Sequence, residues 1–118
     1  ANPDSMKLAL ENFALMKMDK KKVVILGDMF DMGEFASEVH KEIMVLAETL
    51  EFDHRYFVGA EFYKILCMGA PVFGDEILFE TTDDLVKYLR DNKIENSFVL
   101  VKGSRGMALE KILKENLI

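Results

Sequence analysis

KVVILG, Lys22 to Gly27, is a short apolar run that continues without a polar break until a glycine stops it. A strand with one wet face alternates apolar and polar residues, whereas a strand buried on both faces shows an unbroken run of this kind. Burial on both faces requires covering layers, and the flanking sequence supplies them as helices. Upstream, Asn2 is placed to cap a helix with Pro3 at its first position, where the missing N–H costs nothing. Met6, Ala9, Leu10, Phe13 and Met16 then recur at helical spacing, which predicts a helix from Pro3 to about Lys17.

Downstream the alternation continues. Val39, Ile43, Leu46, Ala47 and Leu50 mark one face of a helix from about Phe35 to Leu50. RYFVG reads as a strand, AEFYKILCM as a short helix, and EILFE as a strand after a turn around Pro71 and Gly74. Thr82 is placed to cap DDLVKYLRDNK, SFVLVKG is the last strand, and MALEKILKENL the last helix. Strands alternating with helices give an α/β fold with a mainly parallel, Rossmann-like sheet covered on both faces and wound by right-handed crossovers. A chain in this rhythm that opens on a helix cap is expected to follow a strand lying before Ala1, inside a larger protein.

The totals agree with one domain. The 118 residues, half of them hydrophobic, suffice for one core but not for two. The formal charge of -6, from 15 basic and 21 acidic residues, opposes general binding to nucleic acid or anionic membranes. An anionic ligand therefore needs a local cationic cluster. Cys67 is the only cysteine, which removes intrachain disulfides and multi-cysteine zinc sites and suits a reducing compartment, with Cys67 as a buried filler. No apolar run approaches the roughly 20 residues that span a bilayer. A cytosolic protein is expected.

Parallel strands open all their C-terminal ends on one edge, where ligands bind in such folds. That edge gathers GDMFDMG, GAEF, TTDD and KGSRG, together with Asn2. In KGSRG the glycines permit close backbone approach and Ser104 sits where a helix N-cap belongs, while Lys102 offers a point charge and Arg105 a planar fork for a carboxylate or phosphate. The bland alternative is a capping serine between two solvated cations. In GDMFDMGE, Asp28, Asp31 and Glu34 could hold a substrate ammonium or reach a nucleotide-bound magnesium ion, or serve merely as helix-start acids. Asp28, directly after the strand glycine, is the stronger functional candidate. His40 reads as a packing or hydrogen-bonding residue, and His54 lies at the opposite edge. The chain carries neither GxxxxGK[ST] nor GxGxxG, and no spacing that suggests a nucleophile, so it reads as half of a site.

ANPDSM, VVILGDMFDMGEFASEVH and VLVKGSRGMALEK resemble, in order and spacing, the C-terminal domain of the Mur ligases, over Ala1 to about Leu113. Within that family the GDM loop and KGSR turn are most similar to the member that adds D-alanyl-D-alanine to UDP-N-acetylmuramoyl-tripeptide. The resemblance implies an ATP-dependent, amide-forming ligase working through an acyl phosphate, with ATP and magnesium held mainly by a central domain. It implies that Asn2, Pro3 and Ser5 belong to the segment touching the adenosine of ATP. It also implies that Asp28, Met29, Lys102, Ser104 and Arg105 bind substrate, with Arg105 or Lys102 on the dipeptide carboxylate and Ser104 giving a hydrogen bond. Asp31 and Met32 stand where Glu and Leu are more usual. By the same likeness no catalytic group and no metal ligand resides in this domain.

Two other classes fit the pattern less well. A phospho-accepting receiver module needs an aspartate ending a middle strand, which RYFVGAEF does not offer. A protein-interaction domain would leave the glycine turns purely structural.

Overall fold

The computed structural model describes residues 2–67 and 76–118. Ala1, Met68 at the end of AEFYKILCM and the turn around Pro71 and Gly74 lie outside the described residues. The chain runs through α1 (Pro3–Leu15), β1 (Lys21–Gly27), α2 (Ala36–Thr49), β2 (His54–Val58), α3 (Ala60–Cys67), β3 (Glu76–Phe79), α4 (Thr82–Asp91), β4 (Ser97–Lys102) and α5 (Lys111–Lys114). Among the described residues the strands form one sheet in the order β3-β2-β1-β4, and every pairing is parallel.

That order explains the unbroken apolar run KVVILG. β1 is central, and its residues from Val23 to Gly27 are all buried. Successive side chains on a strand point to opposite faces. Val24 and Leu26 accordingly join a cluster with Met6, Leu10 and Phe13 of α1, Ile43 of α2 and Phe62 of α3. Val23 and Ile25 join Leu85 and Leu89 of α4, Leu109 and Ile112 on the other face. The crossovers through α2 and α3 step from β1 to β3 over one face, and α4 returns under the other to place β4 beyond β1. The winding therefore reverses between β1 and β4, and their C-terminal ends flank the topological switch point, where ligands collect in open α/β sheets.

Local chemistry sets the helix ends. Asn2 Oδ1 accepts from the Ser5 N–H at 2.9 Å and Ser5 Oγ accepts from the Asn2 N–H at 3.2 Å, a reciprocal capping box ahead of Pro3. α1 ends at Leu15, slightly earlier than the spacing predicts. A short loop returns its C-terminus to the start of β1, where Lys22 Nζ donates to the Ala14 carbonyl at 2.8 Å, so Asn2 stands at the C-terminal edge of the sheet.

Three expectations are corrected. The cap of α4 is Thr81, whose hydroxyl accepts from the Asp84 N–H at 3.1 Å. Thr82 is instead buried and its Oγ1 donates to the Met107 carbonyl at 2.6 Å. The last helix does not span MALEKILKENL: a 3-10 turn covers Arg105–Met107, Ala108 is left-handed at φ 53°, and only Lys111–Lys114 is helical. The Thr82 tether and the burial of Leu109 beside the switch point override a local preference for continuous helix. Cys67 is exposed, not a core filler.

Because Ile25 is fully buried at the centre of the sheet whereas Val101 of β4 is only half-buried, Ile25→Ala should cost about 2–5 kcal/mol. Val101→Ala should cost clearly less. Urea denaturation followed by circular dichroism reads the difference.

Candidate functional site

At the switch point two backbones approach closely. A Cβ on Gly103 would lie 2.9 Å from the Gly27 Cα, closer than real side-chain carbons come, and a tight 3.0 Å from Leu109 Cδ1. The ladder continues past the strands through this contact, with the Ser104 N–H donating to the Asp28 carbonyl at 3.0 Å. Ser104 stands at the N-cap position of the 3-10 turn, as its place in the sequence suggests, but its side chain makes no capping bond there. Its hydroxyl accepts from the Phe30 N–H at 2.9 Å across the gap between the loops. The Phe30 ring lies where a side chain on residue 106 would sit, so a larger residue there would have to push that exposed ring aside. KGSRG and GDMF are thus one bonded unit.

Lys102 and Arg105 occupy the rim of this unit. Lys102 ends β4 beside Leu26. Leu100 faces the cluster containing α1, and strand alternation puts Lys102 on that same side, the side that carries Asn2. Arg105 is exposed on the turn. Lys7, Lys64, Arg90 and Lys111 each meet a carboxylate, but among the described residues neither Lys102 nor Arg105 does. A hollow of about 360 Å³ lined by Lys102, Gly103, Ser104, Arg105, Glu110 and Leu113 adjoins them. A second cleft, about 350 Å³, opens between the ends of β1 and β3, with Phe30, Gly59, Thr81 and Met107 in its wall. A larger hollow, about 650 Å³, is a shallow groove between α1 and α2 with a charged border, away from the switch point.

Asp28 departs from the open carboxylate the sequence suggests. It is only 3 % exposed, and its oxygens accept from the N–H groups of Glu61 at 2.9 Å and Phe62 at 3.2 Å, so it seats the start of α3. A Cβ on Gly59 would run into that carboxylate. Burial lifts the Asp28 carboxyl above its ordinary 3.8, while the two N–H donors and His40 pull it back down. Met29 is buried and meets the site only through its backbone. Asp31 and Glu34 are exposed, and Asp31 is left-handed at φ 63°. Among the described residues no group of three acidic, histidine or cysteine side chains gathers as a metal site.

Asn2, Pro3 and Ser5 share the edge with these groups, but the side chains of Asn2 and Ser5 are each engaged by the other's backbone. The cap uses Asn2 Oδ1 and leaves Nδ2 as the outward donor. Two further residues shape the site: His40 is the hydrogen-bonding residue its sequence position suggests, and Thr82 acts as a tether instead of a cap. His40, fully buried, accepts from the Met29 N–H at Nε2 and contacts the Ala36 carbonyl at Nδ1. Thr82 ties the turn to α4. The bond from Thr82 to Met107 spans 25 positions and the one from Met29 to His40 spans 11, so spacing marks neither; only the Ala36 contact of His40, four residues back on its own helix, is local.

Ser104→Ala leaves the Phe30 N–H without its acceptor and should cost about 1 kcal/mol, with faster hydrogen exchange at the Phe30 amide. For Asp28, a folded pKa above the unfolded one means a stability contribution fully present below 3.8 and lost as pH rises through the folded value. A carbon-13 titration of its carboxyl should show a midpoint above that of an ordinary aspartate.

The Mur ligase glutamate ligase domain profile matches residues 1–105. UDP-N-acetylmuramoyl-tripeptide--D-alanyl-D-alanine ligases are similar: that of Treponema pallidum is 37% identical over 95% of this chain and 25% of its own length, and that of Bacillus subtilis is 30% identical over 98% and 26%. The crystal structure of MurF from Acinetobacter baumannii superposes with a TM-score of 0.74 at 26% identity, over 99% of this chain and 25% of that one. The chain therefore spans about a quarter of the length of the curated relatives it matches. With the parallel sheet, the GDMF loop and the KGSR turn in the places the sequence predicts, the chain belongs to the Mur ligase family, as its glutamate ligase domain.

Proposed function

We propose that this domain forms the dipeptide-seating part of an ATP-dependent ligase that joins D-alanyl-D-alanine to UDP-N-acetylmuramoyl-tripeptide in the cytosol. The observation that carries the reading is the pair of cations, Lys102 and Arg105, left without carboxylate partners on a turn rigidly bonded to the GDMF loop at the switch point. In a chain of net charge -6, two such cations lining one hollow give a local anion seat against the general field. Arg105 offers the fork that matches a carboxylate bidentately, and Lys102 adds a point charge from the end of β4. The names of the similar proteins in Treponema and Bacillus supply the substrate class.

In the proposed reaction the γ-phosphoryl group of ATP passes to the tripeptide carboxylate, giving an acyl phosphate and ADP. The dipeptide amine then attacks the acyl carbon, loses its proton, and phosphate leaves from the tetrahedral intermediate. This chain's contribution is to hold the dipeptide carboxylate so that its amine reaches the acyl carbon, a matter of orientation and not of proton transfer. Asp28 supports the loop from within, and Ser104 serves through the Phe30 N–H. Asn2, Pro3 and Ser5 form an edge that meets adenosine through the Asn2 amide. The described residues do not fit a magnesium site; that ion and the triphosphate belong to the rest of the protein.

In the full-length protein, Arg105→Ala should raise the KM for D-alanyl-D-alanine about 10- to 100-fold, as loss of a charge-assisted hydrogen bond does, with the KM for ATP little changed. Coupled measurement of ADP release checks this. An unaltered dipeptide KM in both Arg105→Ala and Lys102→Ala would overturn the seat.

A further inference from the structure

We propose that His40 is a positioning residue that sets the GDMF loop and, through it, the cationic turn. It rests on the ligase reading for its kinetic consequence. A fully buried imidazole is costly unless both ring nitrogens find partners. Both do: Nε2 accepts from the Met29 N–H at 3.0 Å, and Nδ1 lies 2.6 Å from the Ala36 carbonyl. The first bond makes Nε2 the acceptor and so assigns the ring proton to Nδ1. The ring is held edge-on against Phe62, 4.7 Å between centroids at 80°. This imidazole is therefore a fixed strut between α2 and the loop.

The loop needs such a strut. Asp31 and Gly33 are both left-handed, at φ 63° and 58°, and for Asp31 that conformation is unfavourable on its own. α2 offers no side-chain cap of its own at Phe35. External bonds fix the loop instead, at consecutive amides: His40 takes the Met29 N–H and Ser104 takes the Phe30 N–H. Fixing the first aims the second, and the second locates the residue just before Arg105. The line from α2 to the cation runs Ala36, His40, Met29, Phe30, Ser104, Arg105.

Two amide substitutions separate the ring nitrogens. His40→Gln keeps an acceptor near the Nε2 position, and His40→Asn keeps a donor near Nδ1 but cannot reach Met29. In the full-length protein, His40→Asn should raise the KM for D-alanyl-D-alanine about tenfold through misplacement of the seat, while the KM for ATP moves by less than about twofold. His40→Gln should restore most of the loss. In a double-mutant cycle the effect of His40→Asn should largely vanish on a Ser104→Ala background, because both changes cut one line. Equal rises in every kinetic constant, no rescue by glutamine, or additive effects with Ser104→Ala would each overturn the proposal. A wild-type protein that releases no dipeptide-dependent ADP would instead defeat the ligase reading. Methyl NMR of Met29 in the same samples then decides for His40: a shift in the asparagine variant and a near-native signal in the glutamine variant support the strut, and equal shifts in both refute it.

Discussion

The working edge depends on Ser104, which is bonded twice across the switch point. Its N–H reaches the Asp28 carbonyl and its hydroxyl takes the Phe30 N–H. Each bond alone is worth about 1 kcal/mol, a small sum beside the core. Their value is geometric: they convert two glycine-bounded loops, far apart in sequence, into one surface with a defined shape. The glycines at 27 and 103 permit that meeting, since a side-chain carbon on Gly103 would fall inside the facing backbone.

Around this centre the fold divides labour. Asp28, which looks like a ligand in the sequence, is spent inside the protein on the start of α3. The positive end of that helix and two aligned N–H groups favour a carboxylate there, at the expense of burying it. Cations are left to the rim. The chain is acidic overall, yet Lys102 at the end of β4 and Arg105 on the following turn line one hollow at this edge without a carboxylate partner.

How far the sequence was legible follows from the range of each interaction. The unbroken run at Val23 to Leu26 announces a strand covered on both sides because burial writes itself into every residue of the strand. The helical stripes of α1, α2 and α4 are equally local signals. The position of KGSR beside GDMF is legible once the strands are taken as parallel, for topology alone brings both to one edge. Apart from Cys67, the failures share a cause in long-range partners. MALEKILKENL reads as one helix, but Thr82 reaches Met107 from α4 and Ala108 turns left-handed. Ser104 reads as a cap until Phe30 takes it. Asp28 reads as open until α3 closes on it, and Cys67 reads as core although it ends α3 in solvent.

The bond from the Thr82 hydroxyl to the Met107 carbonyl has a mechanical side. Met107 closes the same 3-10 turn that carries Arg105, and Thr82 is the first residue of α4. The guanidinium bearer is accordingly guyed from two directions, by Ser104 toward β1 and by Thr82 toward the return helix beneath the sheet. The turn cannot draw away from the start of α4 without breaking that bond, so the helix under the sheet helps fix where the arginine stands.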